Sequence, residues 1–123
     1  MYRDEIRVLD CTIRDGGLMN NHRFDHKLVR ELYKAVSEAG VDYMEMGYRN
    51  SKELFSTEEY GPWKFCDDED IRQVIVGIES KTKVSIMVDV DRVNVDDVKP
   101  AADSPVDMIR VATYVKDIDK AIF

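Results

Sequence analysis

Short β-branched runs alternate with longer amphipathic stretches along this chain, and few architectures accept that order. Ile6-Arg7-Val8-Leu9 has the composition of a short strand, followed at once by a polar, glycine-bearing stretch from Asp10 to Asn21. From Asp25 to Ala39, Leu28, Leu32, Ala35, Val36 and Ala39 recur at helical spacing, with Asp25 placed to cap the N-terminus and Gly40 placed as the left-handed residue that ends the helix. Val41 to Met46 reads as a second strand, and Gly47 to Cys66 as a long polar and aromatic connection. Asp67 or Asp68 opens a second helix in which Ile71, Val74, Ile75 and Ile78 share a face, ending near Lys81. Lys83 to Val90 is a third strand, Val95 to Lys99 a short helix stopped by Pro100, Met108 to Val115 a fourth strand, and Lys116 to Phe123 the start of a further helix.

Strands separated by helices imply a parallel sheet built from right-handed crossovers. A doubly wound flavodoxin-like sheet would need a fifth strand that the pattern does not supply. A closed barrel takes eight βα units and about 250 residues. The expected fold is therefore α/β: the first four βα units of a (β/α)₈ TIM barrel, a half barrel occupying 1–123 as one domain. The ending Lys120-Ala121-Ile122-Phe123 carries no Gly, Pro or polar tail to close a helix, which marks the chain as an expected fragment. A half barrel leaves its first and fourth strands as edges and bares an apolar face, so self-association into a homo-oligomer is expected, with little or no activity from these residues alone.

Composition narrows the function. A net charge of -7 disfavours nucleic acid and anionic membranes, which need clustered Lys and Arg; a small anionic substrate would require a local basic site or a bound cation. Cys11 and Cys66 stand far apart without CxxC spacing, and no leading segment resembles a signal peptide, so a reducing cytoplasm is expected. The apolar runs are too short to span a bilayer.

The sequence Asp10-Cys11-Thr12-Ile13-Arg14-Asp15-Gly16-Gly17 directly follows the first strand. In a parallel barrel the C-terminal strand ends face the catalytic mouth. Arg14 and Asp15 would there place a planar cation that can fork onto a carboxylate or enolate beside a hard oxygen ligand for Mg²⁺ or Mn²⁺. The alternative is a surface pair in an ordinary turn. Glu45 could reach the mouth and hydrogen-bond Arg14, or stand as a solvated carboxylate; Arg49 could receive a substrate carboxylate, or be a loop cation. Asp89 and Asp91 share a strand face but mark its polar end, too few for a metal site. Tyr60, Trp63 and Phe65 could form a lid, with packing beneath the loop as the default. His22 and His26 are four apart, yet a cap at Asp25 puts His22 before the helix, so they do not form a ready pair.

These motifs resemble a known family. Leu9 to Gly16 is similar to the first-strand motif of the metallolyase barrels, which include 3-hydroxy-3-methylglutaryl-CoA lyase, isopropylmalate and homocitrate synthases, the pyruvate-carboxylase carboxyltransferase domain and 4-hydroxy-2-oxovalerate aldolase. Gly40 to Tyr48 is similar to their second strand, and Ile109-Arg110-Val111-Ala112-Thr113 to the fourth strand of the aldolase branch. The resemblance implies a divalent-metal-dependent carbon–carbon lyase acting through the enolate of a 2-oxo acid. Asp15 would be a metal ligand, Arg14 the enolate-stabilising cation and Thr113 a hydrogen-bond partner of the substrate. An acyl-CoA condensing synthase or lyase would use the same Arg14 and Asp15, and a non-catalytic association module is a further reading. Two departures stand out. The branch's catalytic His falls at Leu18, where His22 one turn on could substitute as base, and Tyr114 replaces a His that often follows the Thr. The His-x-His pair that completes the family's metal site is not in this sequence.

Overall fold

The computed structural model describes residues 3–122. Four parallel strands lie in sequence order, β1 (Leu9–Asp10), β2 (Tyr43–Tyr48), β3 (Lys83–Asp89) and β4 (Met108–Ala112). The helices are α1 (Thr12–Gly16), α2 (His26–Glu38), α3 (Asp68–Ile75) and α4 (Ile118–Ala121). This is the βα succession of a partial TIM barrel, as the alternation predicts. No helix among the described residues is long and apolar enough to cross a membrane.

Both ends of α2 form as their residues dictate. The Asp25 carboxylate accepts from the Leu28 amide at 2.7 Å. At the other end Gly40 adopts φ +76°, its amide donating to Ser37 O while Val41 N donates to Val36 O, which satisfies the last carbonyls. The buried stripe runs through Val29, Tyr33 and Val36, and Leu28 is exposed. Spacing of aliphatic residues alone misplaced that face because Tyr33 buries its ring and donates its hydroxyl to Thr82 O.

Several boundaries differ from expectation. The first strand begins at Leu9 instead of Ile6, since the Asp42 carboxylate takes the Val8 amide where a strand carbonyl would stand. Helix α3 stops at Ile75, well before Lys81: Val76 turns extended, Gly77 takes φ +74°, and Arg30 donates to the carbonyls of Val74 and Val76. The helix expected over Val95–Lys99 is one 3₁₀ turn at Val95–Asp97, and the fourth strand ends at Ala112. In the final helix, Phe123 lies outside the described residues.

Alternation along the strands divides the sheet's faces. Met44, Met46, Val84, Ile86 and Val88 are all buried, the first four of them in the core formed with Val29, Val36, Ile71 and Val74 of the helices. Ile109 and Val111 are cross-strand partners of Ile86 and Val88 on β4, yet remain exposed. Glu45, Ser85 and Arg110 belong to the opposite face.

A bulge in β2 governs what that second face presents. Glu45 pairs with Ser85 but Tyr48 pairs with Met87, so two β2 residues face one of β3. The extra residue brings Tyr48 onto the same face as Glu45. Gly47 lies inside the bulge, where a Cβ would come within 2.1 Å of Trp63 O and 2.7 Å of Cys66 Sγ. Backbone cannot yield as a flexible side chain would. Gly47→Ala is expected to destabilise the fold by roughly 1–3 kcal/mol or more, read as a lower denaturant midpoint at unchanged slope. An unchanged midpoint would show that the bulge relaxes freely.

Candidate active site at the strand ends

The carboxylate of Glu45 organises the strand-end face. Arg14 Nε donates to Oε1 at 2.9 Å, and Arg110 forks onto both oxygens, Nε to Oε2 at 2.6 Å and Nη2 to Oε1 at 2.8 Å. Ser85 Oγ adds a longer contact at 3.4 Å. Glu45 is 0% exposed. Burial by itself would raise its pKa, but the hydrogen bonds and charges of Arg110 and Arg14 prevail and hold the carboxyl below its ordinary value. Burial works against the Arg14 guanidinium as well, and Glu45 and Tyr48 outweigh it, so the charge is retained. Glu45 is thus engaged on both oxygens by protein groups. It is enclosed by two arginines and fixes where they point.

That constellation leaves one positive charge in excess, partly shared with Asp15. Arg14 Nη1 donates to Asp15 Oδ1 at 3.1 Å. Asp15 lies in α1 with its side chain 66% exposed, leaving Oδ2 open. A hard, accessible carboxylate oxygen beside a guanidinium is a fit contribution to a divalent-cation site. It is a single contribution: among the described residues no three His, Cys, Asp or Glu side chains cluster to hold an ion.

His22 sits behind the site. Its backbone is left-handed, φ +59°, and its ring is buried edge-on to Tyr48 with centroids 5.4 Å apart. Nδ1 is packed against Gly17 and has no hydrogen-bond partner. Burial, helped by the nearby Lys64 charge, lowers the His22 pKa to about 4, so the imidazole is neutral near pH 7. His26 is elsewhere, bonded to Asp70 at 2.7 Å, so the two histidines form no pair. Leu18, at the position of the family's base, is exposed.

The remaining candidates are dispersed. Arg49 is buried, its Nη2 donating to Asp68 Oδ1 at 2.6 Å and to the Cys66 carbonyl, so it ties the end of β2 to α3 and its fork is already engaged. Thr113 is exposed just beyond β4 and lines a cleft of about 320 Å³ with Asp89, Arg92 and Tyr114. Asp89 and Asp91 engage Arg92 and Lys120 separately. Trp63 and Phe65 pack inward, Trp63 donating to Phe24 O.

Arg110, Tyr48 and Lys64 were not foreseen as site residues. Arg110 could have been noticed as a lone cation in the apolar run Met108–Ala112. Tyr48 could not, because only the bulge turns it to this face. Lys64 lies over three rings, 4.3 Å from the Phe55 centroid, 4.8 Å from Tyr60 and 5.5 Å from Tyr48, without an ion pair among the described residues. Burial and Arg92 lower its pKa, against the pull of Asp89.

The parallel βα sheet has the architecture of a partial TIM barrel, with an arginine pair around a buried glutamate and an open aspartate alongside. The chain is similar to 4-hydroxy-2-oxovalerate aldolases: 28% identical over 120 residues to 4-hydroxy-2-oxovalerate aldolase 6 of Rhodococcus jostii, covering 98% of this chain and 33% of that protein. Identity to the Moorella thermoacetica 4-hydroxy-2-oxovalerate aldolase is 29% over 119 residues, covering 97% of this chain and 35% of the relative. The crystal structure of the N-terminal domain of a proposed aldolase from Bacteroides vulgatus superposes with a TM-score of 0.78 at 33% identity, covering 95% of this chain and 38% of that one. No family model matches. The chain thus spans about one third of the length of the curated relatives it matches.

Proposed function

We propose that the complete protein is a divalent-metal-dependent aldolase that makes or breaks a carbon–carbon bond next to the carbonyl of a 2-oxo acid, and that this chain supplies the first part of its active site. The observation that supports this most is the doubly held Glu45, which fixes Arg14 beside the exposed Asp15. Cleavage beside a carbonyl leaves an enolate, and a preoriented guanidinium stabilises that charge as it develops. Asp15 would hold the ion, which when bound polarises the carbonyl as a Lewis acid. Thr113 would donate a hydrogen bond to the substrate. His22, neutral at physiological pH, would be the group that accepts the substrate's proton as base. The substrate is a small carboxylate, drawn by the positive excess of Arg14 and Arg110 over Glu45 in a chain of net charge -7.

Asp15 is tested by calorimetric titration of Mn²⁺ or Mg²⁺ into the complete protein. Asp15→Asn keeps the shape but loses the charged ligand, and the affinity should fall. Equal affinities would remove Asp15 from the site.

The association reading draws on Ile109 and Val111 of β4, exposed beside buried partners. Residues 1–123 expressed alone are expected to associate through this face and to release no pyruvate from 4-hydroxy-2-oxo acids with Mn²⁺ present. Light scattering and a coupled pyruvate assay check both. A monodisperse monomer with metal-dependent turnover would contradict the incomplete-site reading.

A further inference from the structure

Tyr48 closes β2 as a half-buried phenol on the same face as Glu45, and its ring is fixed by neighbours from outside the sheet. The His22 ring meets it edge-on at 5.4 Å between centroids, and Lys64 Nζ stands over it, 5.5 Å from the centroid. Lys64 is buried and has no ion pair among the described residues; the other rings around its ammonium are Phe55 at 4.3 Å and Tyr60 at 4.8 Å. Burying a charge without a carboxylate is costly, and the three π faces offset part of that cost while pinning the lysine in place. Both groups that touch the Tyr48 ring are themselves buried, so the ring has little freedom to turn.

The hydroxyl of that ring bears on Arg14. The guanidinium donates to Glu45 through Nε, to Asp15 through Nη1, and also to the Tyr48 hydroxyl. A single Nε bond leaves the guanidinium plane free to swing about that contact, and the Asp15 side chain, 66% exposed, is a partner that water can replace. The Tyr48 hydroxyl is the remaining anchor, carried on a ring that does not swing with the guanidinium. We propose that Tyr48 is a positioning residue of the aldolase reaction, its clasped phenol setting the plane in which Arg14 meets the substrate's carbonyl oxygen. The role rests on the aldolase reading above, in which a donor held in place beforehand needs no rearrangement as charge develops.

Tyr48→Phe in the complete protein removes the hydroxyl and keeps the ring, so the contacts with His22 and Lys64 survive. Cleavage of a 4-hydroxy-2-oxo acid should lose about 10-fold or more in kcat, with KM within ~2-fold and the melting temperature nearly unchanged, the pattern of an interaction realised only in the transition state. Hydrogen exchange at the Arg14 Nε–H, followed by NMR and assigned by the signal missing from Arg14→Lys, should quicken by about 10-fold as the guanidinium is released. Unchanged exchange in Tyr48→Phe would overturn the proposal whatever the protein catalyses. So would wild-type kcat in a variant whose exchange has quickened, or a loss confined to KM, which marks a binding contact. A wild-type protein that cleaves no 4-hydroxy-2-oxo acid would end the aldolase reading and this role with it, an outcome distinct from an active wild type that Tyr48→Phe leaves unaltered.

Discussion

Glu45→Ala should destabilise the protein by about 2–4 kcal/mol, a large part of a typical folding free energy of about 5–15 kcal/mol. Removing the carboxylate takes from Arg110 both bonds of its fork and from Arg14 its Nε bond, leaving Arg14 the contact with Asp15. The cost falls below that of a fully enclosed pair because the Arg110 side chain is 40% exposed and can rehydrate, whereas that of Arg14, 16% exposed, has less access to water. Because the folded carboxyl is held below its ordinary value of 4.5, its contribution is fully present above that value and is lost as the pH falls through the lower folded one. The stability gap between wild type and Glu45→Ala should therefore be widest near neutrality and close on acidification. Denaturant unfolding at several pH values measures both effects. A gap that is small at pH 7 or widens in acid would show that the arginines find other partners and that Glu45 does not anchor the site.

Arg14→Lys should lower turnover of the complete enzyme by about 10² or more with little change in melting temperature. The substitution preserves the charge and the reach to Glu45 but replaces a planar fork with a single ammonium. Nε is committed to Glu45 and Nη1 to Asp15, so on the proposed reading the guanidinium must keep both partners while it meets the enolate. A lysine cannot hold the glutamate and present a second donor in that direction. Steady-state kinetics on a 4-hydroxy-2-oxo acid, with circular dichroism as a fold control, separates the outcomes. Near-wild-type turnover in a folded variant would end the assignment of Arg14 as the electrostatic catalyst.

Much of the architecture could be read from local signals because those signals act locally. Asp25 caps α2 and Gly40 closes it through bonds to residues three to five positions away, and the four β-branched runs lie near where strands form. The Arg14-Asp15 pair is legible for the same reason: it follows the first strand, and parallel topology brings strand ends to one rim. Errors gathered where a distant group intervened. Asp42 shortens β1, and Arg30 with Gly77 ends α3 early; both depend on side chains meeting across more than thirty residues of chain.

The sequence by itself determined the order of elements, the parallel sheet, and the presence of a cation and a hard carboxylate at the mouth. Only the tertiary structure decided their partners. Glu45 and Arg110 are 65 positions apart and meet because β2, β3 and β4 stack in register, which no spacing rule within one element can report. The bulge at Gly47 decides that Tyr48 joins them, since one extra residue reverses the face a strand position presents. Likewise Arg49 reads as a free cation until α3 brings Asp68 to within 2.6 Å. Long-range electrostatic pairing and strand register are properties of the assembled sheet, and they convert a list of charged residues into a site.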